Sequence, residues 1–494
     1  AALGLLYRPV LGMELMGDDY QWVQHAHAAM HRPALLLADL DTFYRPANTW
    51  TLALDRLLWG FAPLGYRITN LLLQGLAAIA LAAVGRRLGL AMGVAWAVAA
   101  LWACSPFTFE PAASVAIRFE NLLFLGWLGL IGAWPQASER WSAGRLAAAG
   151  VATFLAMVSK ETWVVTAALA WALATFQQRR FGWGAVRAAL PFGAAALAYV
   201  AAYFLAFPTG KGYYRFALAP LAKVPHQLAA FLSLETLTPV SFPFSWKGIL
   251  GCAMVAAAVV LILRRRLAAG AVGAALLLAP MLPTLFVPYL PTRYTAIPYA
   301  GFLLLVAACL VALLAELAPR VRLAAALGAT SLAAMVLAAG AFTVGADLRD
   351  WKRLSDAHAR LLVQARAVAR DFSPGRPVLV VRQERDNPLR DVAASPEGLP
   401  KLLYPRGPDP AGLIDAAALV DWVIGREDVL VRRIDDGERS LRDASGAVLA
   451  HRSGGFVWLA QETAALGEQA ARWRARGLQT RIIRAGRTAD TILP

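Results

Sequence analysis

Apolar runs separated by short polar loops occupy most of this sequence, from its first residue to about residue 342. Hydrophobic residues make up 59% of the 494 residues and charged residues only 16%, whereas a soluble domain is about 25% charged. A helix needs about 20 mainly apolar residues to cross the bilayer core. The pattern therefore predicts an α-helical polytopic membrane protein with about 11 or more transmembrane helices. The predicted spans are 1–16, 69–84, 91–104, 121–134, 146–158, 163–176, 188–207, 249–263, 267–286, 299–316 and 323–342.

The first run, 1–16, is short for a membrane span and contains Arg8. We expect its span to begin upstream of this sequence, and a cleaved signal peptide is the less favoured interpretation. The three cysteines, Cys104, Cys252 and Cys309, all lie in apolar runs. They form no CxxC motif, so the sequence indicates neither a disulfide framework nor a thiolate metal site.

Arginine clusters recur in every second loop between the predicted spans. They are Arg86-Arg87, Arg140 with Arg145, Arg179-Arg180 with Arg187, Arg264-Arg265-Arg266, and Arg320 with Arg322. Positively charged short loops mark the cytoplasmic side of a bacterial inner membrane. The net charge of +16 is therefore explained by topology, and nucleic-acid binding is not indicated.

The opposite face, which is periplasmic in a bacterium, receives the unpaired acids, isolated bases and aromatic residues. Its segments are 17–68, 105–120, 159–162, 208–248, 287–298 and everything after about residue 343. The cytoplasmic loops are short and carry little besides arginine. We therefore predict a transmembrane catalytic domain over 1–346 whose working face is external, with periplasmic loops 17–68 and 208–248.

The composition changes after residue 346. The segment 347–372 has apolar residues at helical spacing among charges and is predicted to be an amphipathic connector helix. Beyond Ser373-Pro374-Gly375 we predict a soluble periplasmic α/β domain, 373–494, of ordinary domain size. Its predicted elements are strands at 377–381, 428–431 and 455–460 and a helix at 463–477.

Two adjacent acids, Asp18 and Asp19, follow the first apolar run. In an extended segment their side chains would point to opposite sides, so one could face an acceptor hydroxyl while the other binds a cation or holds the loop. Two solvated carboxylates at a helix end are the alternative. Together with Glu120, they could also hold Mg²⁺ or Mn²⁺, because both ions prefer oxygen ligands.

Three further polar groups fall on the predicted external face, each with a competing structural explanation. Arg118 and Glu120 enter a span almost directly, where ionisable groups are costly and often functional, although they could form an internal ion pair. Lys160 is a plausible phosphate partner, although it could be structurally paired with Glu161.

Arg293 could clamp phosphate oxygens beside Tyr294, although an isolated arginine is also a common interfacial anchor. The segment 208–248 mixes bases with aromatic residues and is expected to meet the donor and acceptor. Its candidate residues are Lys211, Tyr213, Tyr214, Arg215 and Phe244. Arg45, in Tyr44-Arg45-Pro46, and His25 are expected to support the site, although aromatic residues and arginines also suit a membrane interface.

The order of these elements resembles the GT-C glycosyltransferases, especially the transmembrane-and-TPR O-mannosyltransferases and related bacterial members of the protein O-mannosyltransferase group. The matching elements, spread over about 15–300, are Asp18-Asp19, Tyr44-Arg45-Pro46, Gly65-Tyr66-Arg67-Ile68-Thr69-Asn70-Leu71-Leu72-Leu73, Arg118-Phe119-Glu120, Ser159-Lys160-Glu161 and Arg293-Tyr294. The helical TPR array of those relatives is absent from this sequence, so their acceptor class does not transfer.

The resemblance implies a polyprenyl- or dolichyl-phosphate-linked sugar donor and an acid of the first external loop, here Asp18, as the catalytic base. We predict an inverting transfer to a periplasmic protein, lipid or glycan, with Arg293, Lys160 and Arg118 binding the donor phosphate. Glycan transfer from a polyprenyl diphosphate, binding of lipid phosphate without catalysis, and transport remain as alternatives. Transport is the least favoured of these, because transporters place their charged groups near the bilayer midplane, often in two related halves.

Overall fold

The computed structural model describes most of the first 370 residues and six strands beyond them. The described residues are 2–15, 18–37, 43–60, 62–136, 139–178, 182–206, 223–234, 245–265, 267–284, 292–370, 378–382, 440–442, 448–453, 456–459, 482–485 and 492–493.

Helices form almost all of the described chain before residue 371. They are α1 (Ala2–Leu6), α2 (Asp18–His31), α3 (Pro46–Trp59), α4 (Pro63–Arg87), α5 (Met92–Ala103), α6 (Phe109–Ala113), α7 (Phe119–Ala133), α8 (Ala143–Ser159), α9 (Thr166–Gln177), α10 (Trp183–Ala206), α11 (Lys223–Ser233), α12 (Trp246–Arg265), α13 (Ala268–Thr284), α14 (Ala296–Glu316) and α15 (Pro319–Arg370). Short 3-10 turns cover Arg8–Gly12, Pro33–Leu36, Pro106–Thr108, Glu161–Val165 and Thr292–Thr295.

Among the described residues, five helices are long and apolar enough to cross a membrane. They lie within Pro63–Arg87, Trp183–Ala202, Trp246–Arg265, Thr292–Glu316 and Pro319–Arg353. The pair Met92–Ala103 and Pro106–Ala113, bent by 60°, makes a sixth if it is one broken span. Shorter apolar helices cover Phe119–Ala133, Ala143–Ser159 and Ala268–Thr284. These are the features of a multi-pass membrane protein, and the count of eleven spans stays a prediction.

Proline explains where several helices begin. Pro46, Pro63 and Pro319 each occupy the first position of a helix, where the missing N–H costs nothing and the fixed φ suits the helix. Helix α4 therefore starts six residues before the predicted span at 69–84. The predicted external loop 17–68 also proves largely helical, since it contains α2 and α3.

The first apolar run does not form one continuous helix. Helix α1 ends at Leu6, and a 3-10 turn, Arg8–Gly12, follows it. Proline at position 9 has no backbone N–H to donate, so the helical hydrogen-bond ladder is interrupted there. The described residues 2–15 are therefore not one continuous helix, and the span expected to begin upstream of this sequence stays a prediction.

Helices α7 and α8 form an antiparallel pair held by close backbone contact. A Cβ atom at Gly126 would lie 2.8 Å from the Ala152 carbonyl oxygen and 2.8 Å from the Ala156 nitrogen. Only glycine permits this approach. The pairing brings the start of α7 to the end of α8, which is where the polar residues of both helices lie.

The last apolar run and the predicted connector belong to one helix. Helix α15 extends over 52 residues, so 347–372 continues the helix of the preceding span up to Arg370 instead of forming a separate element.

The strands beyond residue 377 form one sheet. They are β1 (Val378–Arg382), β2 (Ser440–Arg442), β3 (Val448–Ser453), β4 (Phe456–Leu459), β5 (Ile482–Ala485) and β6 (Ile492–Leu493). The order is β2-β3-β4-β1-β5-β6, with β1 parallel to β4 and β5 and the remaining pairs antiparallel. Two predicted strands match β1 and β4. The strand at 428–431 and the helix at 463–477 lie outside the described residues, so an α/β domain here stays a prediction.

Contacts divide the chain into two compact units. The first contains Ala1–Leu11, Ala34–Thr51 and Tyr66–Arg349, and the second contains Gly12–Pro33, Leu52–Gly65 and Asp350–Pro494. The predicted boundary at residue 346 lies close to the one at Arg349. The second unit, however, also takes in the segment that carries Asp18 and Asp19.

Candidate active site

A buried ion pair joins the ends of α7 and α8 in the first unit. Glu120 lies in the first turn of α7, and Lys160 directly follows the last residue of α8. The Lys160 ammonium donates to Oε1 of Glu120, and each side chain is only 3% exposed. An acid at a helix start and a base at a helix end both complement the helix dipole, so the antiparallel pairing stabilises each charge.

The extended backbone of Lys160 separates α8 from the 3-10 turn Glu161–Val165. Burial lowers the pKa of the Lys160 amine, while the charges of Glu120 and Glu161 oppose that effect.

A second ion pair lies next to the first. Arg45 donates from Nε to Oε2 of Glu161 at 3.1 Å and from Nη2 to Oε1 at 2.7 Å. Burial alone would raise the pKa of the Glu161 carboxyl, but the charge and hydrogen bonds of Arg45 and the charge of Lys160 lower it to about 2. The carboxylate is therefore ionised at neutral pH and fixes the guanidinium in a bidentate arrangement.

Aromatic rings connect the cations. The guanidinium carbon of Arg45 lies 3.9 Å from the centre of the Phe119 ring, and the Lys160 ammonium lies 5.6 Å from it. The same ammonium is 4.1 Å from the centre of the Tyr294 ring, which Arg293 approaches at 5.4 Å. Cation–π attraction stabilises positive charge that has lost its water, so the rings help to hold these cations in a buried place.

Arg118 and Asn70 form a polar contact between α7 and α4. Arg118 donates from Nε to Oδ1 of Asn70 at 2.9 Å and from Nη2 to the Tyr66 carbonyl oxygen at 3.2 Å. The Asn70 amide donates to the Ser114 carbonyl oxygen at 2.6 Å, and Arg67 donates to the Ala113 carbonyl oxygen. Arg67, Asn70 and Arg118 are each fully buried.

Arg293 is not an isolated interfacial arginine. Its Nη1 donates to Oε2 of Glu110 at 3.4 Å, and both side chains remain about one fifth exposed. Two other structural alternatives also need revision. Glu120, for which a pair with Arg118 was the alternative, forms an ion pair with Lys160. Glu161, for which a pair with Lys160 was the alternative, forms an ion pair with Arg45.

Together these residues form one cluster of charged side chains among the described residues. Its cations are Arg45, Arg67, Arg118, Lys160 and Arg293, and its carboxylates are Glu110, Glu120 and Glu161. Ionisable groups are expensive at such positions and are usually functional. Guanidinium and ammonium groups gathered beside aromatic rings suit an anionic ligand, because they present several N–H donors and positive charge to it.

The structure brings together seven of the predicted site residues. They are Arg45, Arg118, Glu120, Lys160, Glu161, Arg293 and Tyr294. Asn70, Glu110 and Phe119 join the cluster without having been singled out. Asn70 and Phe119 stood in the motifs that carry the family resemblance. The sequence feature that could have identified Glu110 is its position as an acidic residue between two apolar helices.

The predicted catalytic acids lie in the second compact unit, where they begin helix α2. They occupy consecutive helical positions, so the expectation of an extended segment is wrong. Asp19 is 1% exposed. His25, on the same helix, meets Trp22 edge-on with ring centres 6.4 Å apart. The roles of all three residues stay predictions.

Two further predictions concern the donor loop and a metal. Lys211, Tyr213, Tyr214, Arg215 and Phe244 lie outside the described residues. Within the part of the chain that the structure describes, no three His, Cys, Asp or Glu side chains are placed to share an ion. Glu120 instead neutralises Lys160, so its carboxylate is already engaged by a cation. The Mg²⁺ or Mn²⁺ site at Asp18, Asp19 and Glu120 therefore stays a prediction.

Comparison with known proteins gives a limited result. No protein-family model matches the chain, and no curated protein matches it. Among solved structures, ArnT from Cupriavidus metallidurans in the apo state has a TM-score of 0.49 and 14% identity, covering 86% of this chain and 90% of that chain. The same protein bound to undecaprenyl phosphate has a TM-score of 0.44 and 12% identity, covering 85% and 89%. Because both scores and both identities are low, the likeness by itself assigns neither a fold nor a function to this chain.

Proposed function

We propose that this protein is a membrane-embedded glycosyltransferase of the GT-C type that takes its sugar from a polyprenyl-phosphate donor. The observation that carries the proposal is the cationic cluster, in which buried Lys160 lies beside the rings of Phe119 and Tyr294 and Arg293 lies beside that of Tyr294. Such a cluster within a helical membrane protein suits a ligand with an anionic head and an apolar tail.

Phosphate is the anion that this set of donors fits best. Arginine presents a planar array of N–H groups to phosphate oxygens, and lysine adds a compact charge. Of the cations in the cluster, Arg293 is the one that keeps appreciable exposure, with 22% of its side chain accessible. We therefore assign Arg293 to the entrance and Lys160 and Arg118 to the interior.

The proposed reaction is an inverting displacement. Asp18 accepts the proton of an acceptor hydroxyl while the hydroxyl oxygen attacks the anomeric carbon. The bond from that carbon to the phosphate oxygen breaks, and the lipid phosphate leaves with the electron pair. General-base help of this kind contributes about 10²–10⁴-fold. The cations would stabilise the charge that develops on the phosphate.

The remaining predicted residues have supporting roles in this proposal. Asp19 and His25 would hold the segment that carries Asp18. Glu120 and Glu161 would fix Lys160 and Arg45 in place. Segment 208–248, with Lys211, Tyr213, Tyr214 and Arg215, would border the donor and acceptor. A periplasmic active site in the bacterial inner membrane follows from the arginine pattern of the loops.

Binding of undecaprenyl phosphate to the detergent-solubilised protein tests the cluster. Lys160→Met and Arg293→Ala should each weaken binding roughly 10–100-fold, because a hydrogen bond to a charged group is worth about 1.5–3 kcal/mol. Arg145→Met is the matched control, since Arg145 is also ion-paired but contacts Glu139, outside the cluster. Unchanged binding in both cluster variants would show that the lipid phosphate does not bind at this cluster.

Transfer of a labelled sugar from its polyprenyl phosphate tests the catalytic assignment. Asp18→Asn should abolish transfer while leaving donor binding intact, and Asp19→Asn should retain more activity. Near-normal turnover in Asp18→Asn would eliminate Asp18 as the base. Identification of the released lipid separates single-sugar transfer, which yields a monophosphate, from glycan transfer, which yields a diphosphate.

A further inference from the structure

A cavity of about 580 Å³ lies in the first unit at the end of the helices that carries the arginine-rich loops. Arg87 at the end of α4 and Arg265 at the end of α12 both line it. Arg87 is 17 residues beyond Asn70 on the same helix, and at 1.5 Å per residue that separation is about 25 Å. The cavity is thus distinct from the cationic cluster.

The wall of the cavity is mainly apolar. Leu173 and Phe176 of α9, Ile131 of α7, and Val272 of α13 contribute to it. Its size is within the usual range for small-molecule sites, about 300–1,000 Å³. The cavity also borders exposed apolar surface, because Leu263 of α12 lines it and is 49% exposed. An apolar chain inside the cavity could therefore continue along the outside of α12.

The charge around Arg87 is not balanced. Arg87 donates from Nη2 to Oε2 of Glu139 at 2.9 Å, and Arg145 donates from Nη2 to Oε1 of the same carboxylate at 2.6 Å. The single Glu139 carboxylate thus accepts hydrogen bonds from two guanidinium groups, so these three side chains together carry one excess positive charge. Arg265, which also lines the cavity, forms an exposed pair with Glu316.

A buried threonine also lines the cavity. Thr175, on α9, is 4% exposed, and its Oγ1 has no hydrogen-bond partner within the described chain. A buried hydroxyl without a partner is unfavourable. A change of the Thr175 rotamer would let this hydroxyl donate to a ligand oxygen inside the cavity.

We propose that this cavity binds an anionic glycerophospholipid from the membrane leaflet on the arginine-rich side. The phosphate would accept hydrogen bonds from Arg87, where the positive charge is in excess, and from Arg265 in place of its exposed pair with Glu316. Thr175 would donate to a headgroup or glycerol oxygen, and the acyl chains would pass along α12. Basic pockets between membrane helices on the cytoplasmic side are known to take such head groups. The proposal is independent of the reaction proposed for the cationic cluster.

Native mass spectrometry of the full chain in a nonionic detergent tests this site. Phosphatidylglycerol should bind at least tenfold more tightly than phosphatidylcholine with the same acyl chains. Arg87→Gln with Arg265→Gln should remove that preference, and Ala268→Phe should block binding by filling the cavity that Ala268 lines. Arg86→Gln is the matched control, because Arg86 is adjacent and donates to the Leu90 carbonyl oxygen.

Several results would overturn the proposal. Equal binding of the two lipids would do so, as would an equal loss of binding in Arg86→Gln. Displacement of phosphatidylglycerol by glycerol phosphate at the same concentration would assign the cavity to a soluble phosphate instead. If the larger substitutions prevent folding, Thr175→Val decides the question, since it keeps the side-chain shape. A severalfold loss of binding supports the site, and unchanged binding refutes it.

Discussion

Arg118 and Asn70 join the start of α7 to α4 by a 2.9 Å hydrogen bond between two fully buried side chains. The same asparagine donates to the Ser114 carbonyl oxygen at 2.6 Å, so it holds both the arginine and the turn that precedes it. One amide thus positions a cation of the candidate site. This relationship also explains why an asparagine is retained within an apolar helix, where a polar group without a partner would be costly.

Replacing Asn70 by leucine should destabilise the protein by roughly 3 kcal/mol, because a buried guanidinium N–H and a buried carbonyl oxygen each lose a partner. Gln74→Leu is the control. Gln74 lies one turn further along α4, is also fully buried, and its amide has no hydrogen-bond partner among the described residues. We expect Gln74→Leu to be neutral or stabilising. Thermal unfolding in detergent measures the stability of both variants. An equal loss of stability in the two would contradict the role given to Asn70.

Replacing Glu120 by glutamine should cost about 3–5 kcal/mol, because it leaves the Lys160 ammonium buried without its carboxylate. Adding Lys160→Met should recover much of that loss, since the unpaired charge is then removed. Glu316→Gln, in an exposed pair with Arg265, should cost at most about 1 kcal/mol. A double-mutant cycle on the unfolding free energy measures the coupling, and additive effects would show that the pair is not coupled.

The pKa of Glu161, lowered to about 2, predicts a specific dependence of stability on pH. The unfolded carboxyl has a pKa of about 4.3. The folded state therefore favours the ionised form, and this contribution is fully present above about pH 4.3 and is lost as the pH falls toward 2. A shift of this size corresponds to about 3 kcal/mol.

Unfolding temperatures of the wild type and Glu161→Gln between pH 6 and pH 3 test the prediction. The difference between the two should be large at pH 6 and should shrink toward pH 3. Glu139→Gln is the comparison, because Glu139 also has a pKa lowered to about 2, chiefly by its hydrogen bond from Arg145, but is exposed to solvent. Added salt should reduce the change in unfolding temperature caused by Glu139→Gln and should leave the change caused by Glu161→Gln largely intact. A constant difference across the pH range would contradict the assignment.

Replacing Gly126 by alanine should destabilise the α7–α8 pair by about 1–3 kcal/mol, because the new methyl group would overlap backbone atoms of Ala152 and Ala156. Gly132→Ala, in the same helix, is the matched control, since nothing lies within 4 Å of its added Cβ. We expect that variant to be neutral or slightly stabilising, given the higher helix propensity of alanine. Thermal unfolding of both variants, with donor binding as a second measurement, checks the prediction.

The periodicity of apolar residues located most of the helices. Each predicted span from 69–84 onward overlaps a helix of the structure, because burial of apolar faces in lipid and protein leaves a long apolar run few alternatives to a helix. Within 1–16, Pro9 interrupts the helix, and the pattern failed at 17–68, where α2 and α3 are too polar to register as apolar runs. Arg87 and Arg265, from two of the arginine clusters, line one cavity, while the membrane orientation that the arginine alternation predicts stays a prediction.

The sequence by itself determined which residue types carry charge and that the chain is built mainly from apolar helices. It also singled out the seven charged or aromatic residues that the structure brings together, among other candidates. Only the tertiary structure decided the partners: Glu120 with Lys160, Glu161 with Arg45, and Glu110 with Arg293. Neighbours in sequence were the natural candidates for pairing. Helix packing instead decides which helix ends lie side by side. A buried carboxylate then pairs with the cation that packing brings within hydrogen-bond distance, because a buried charge without a partner is costly.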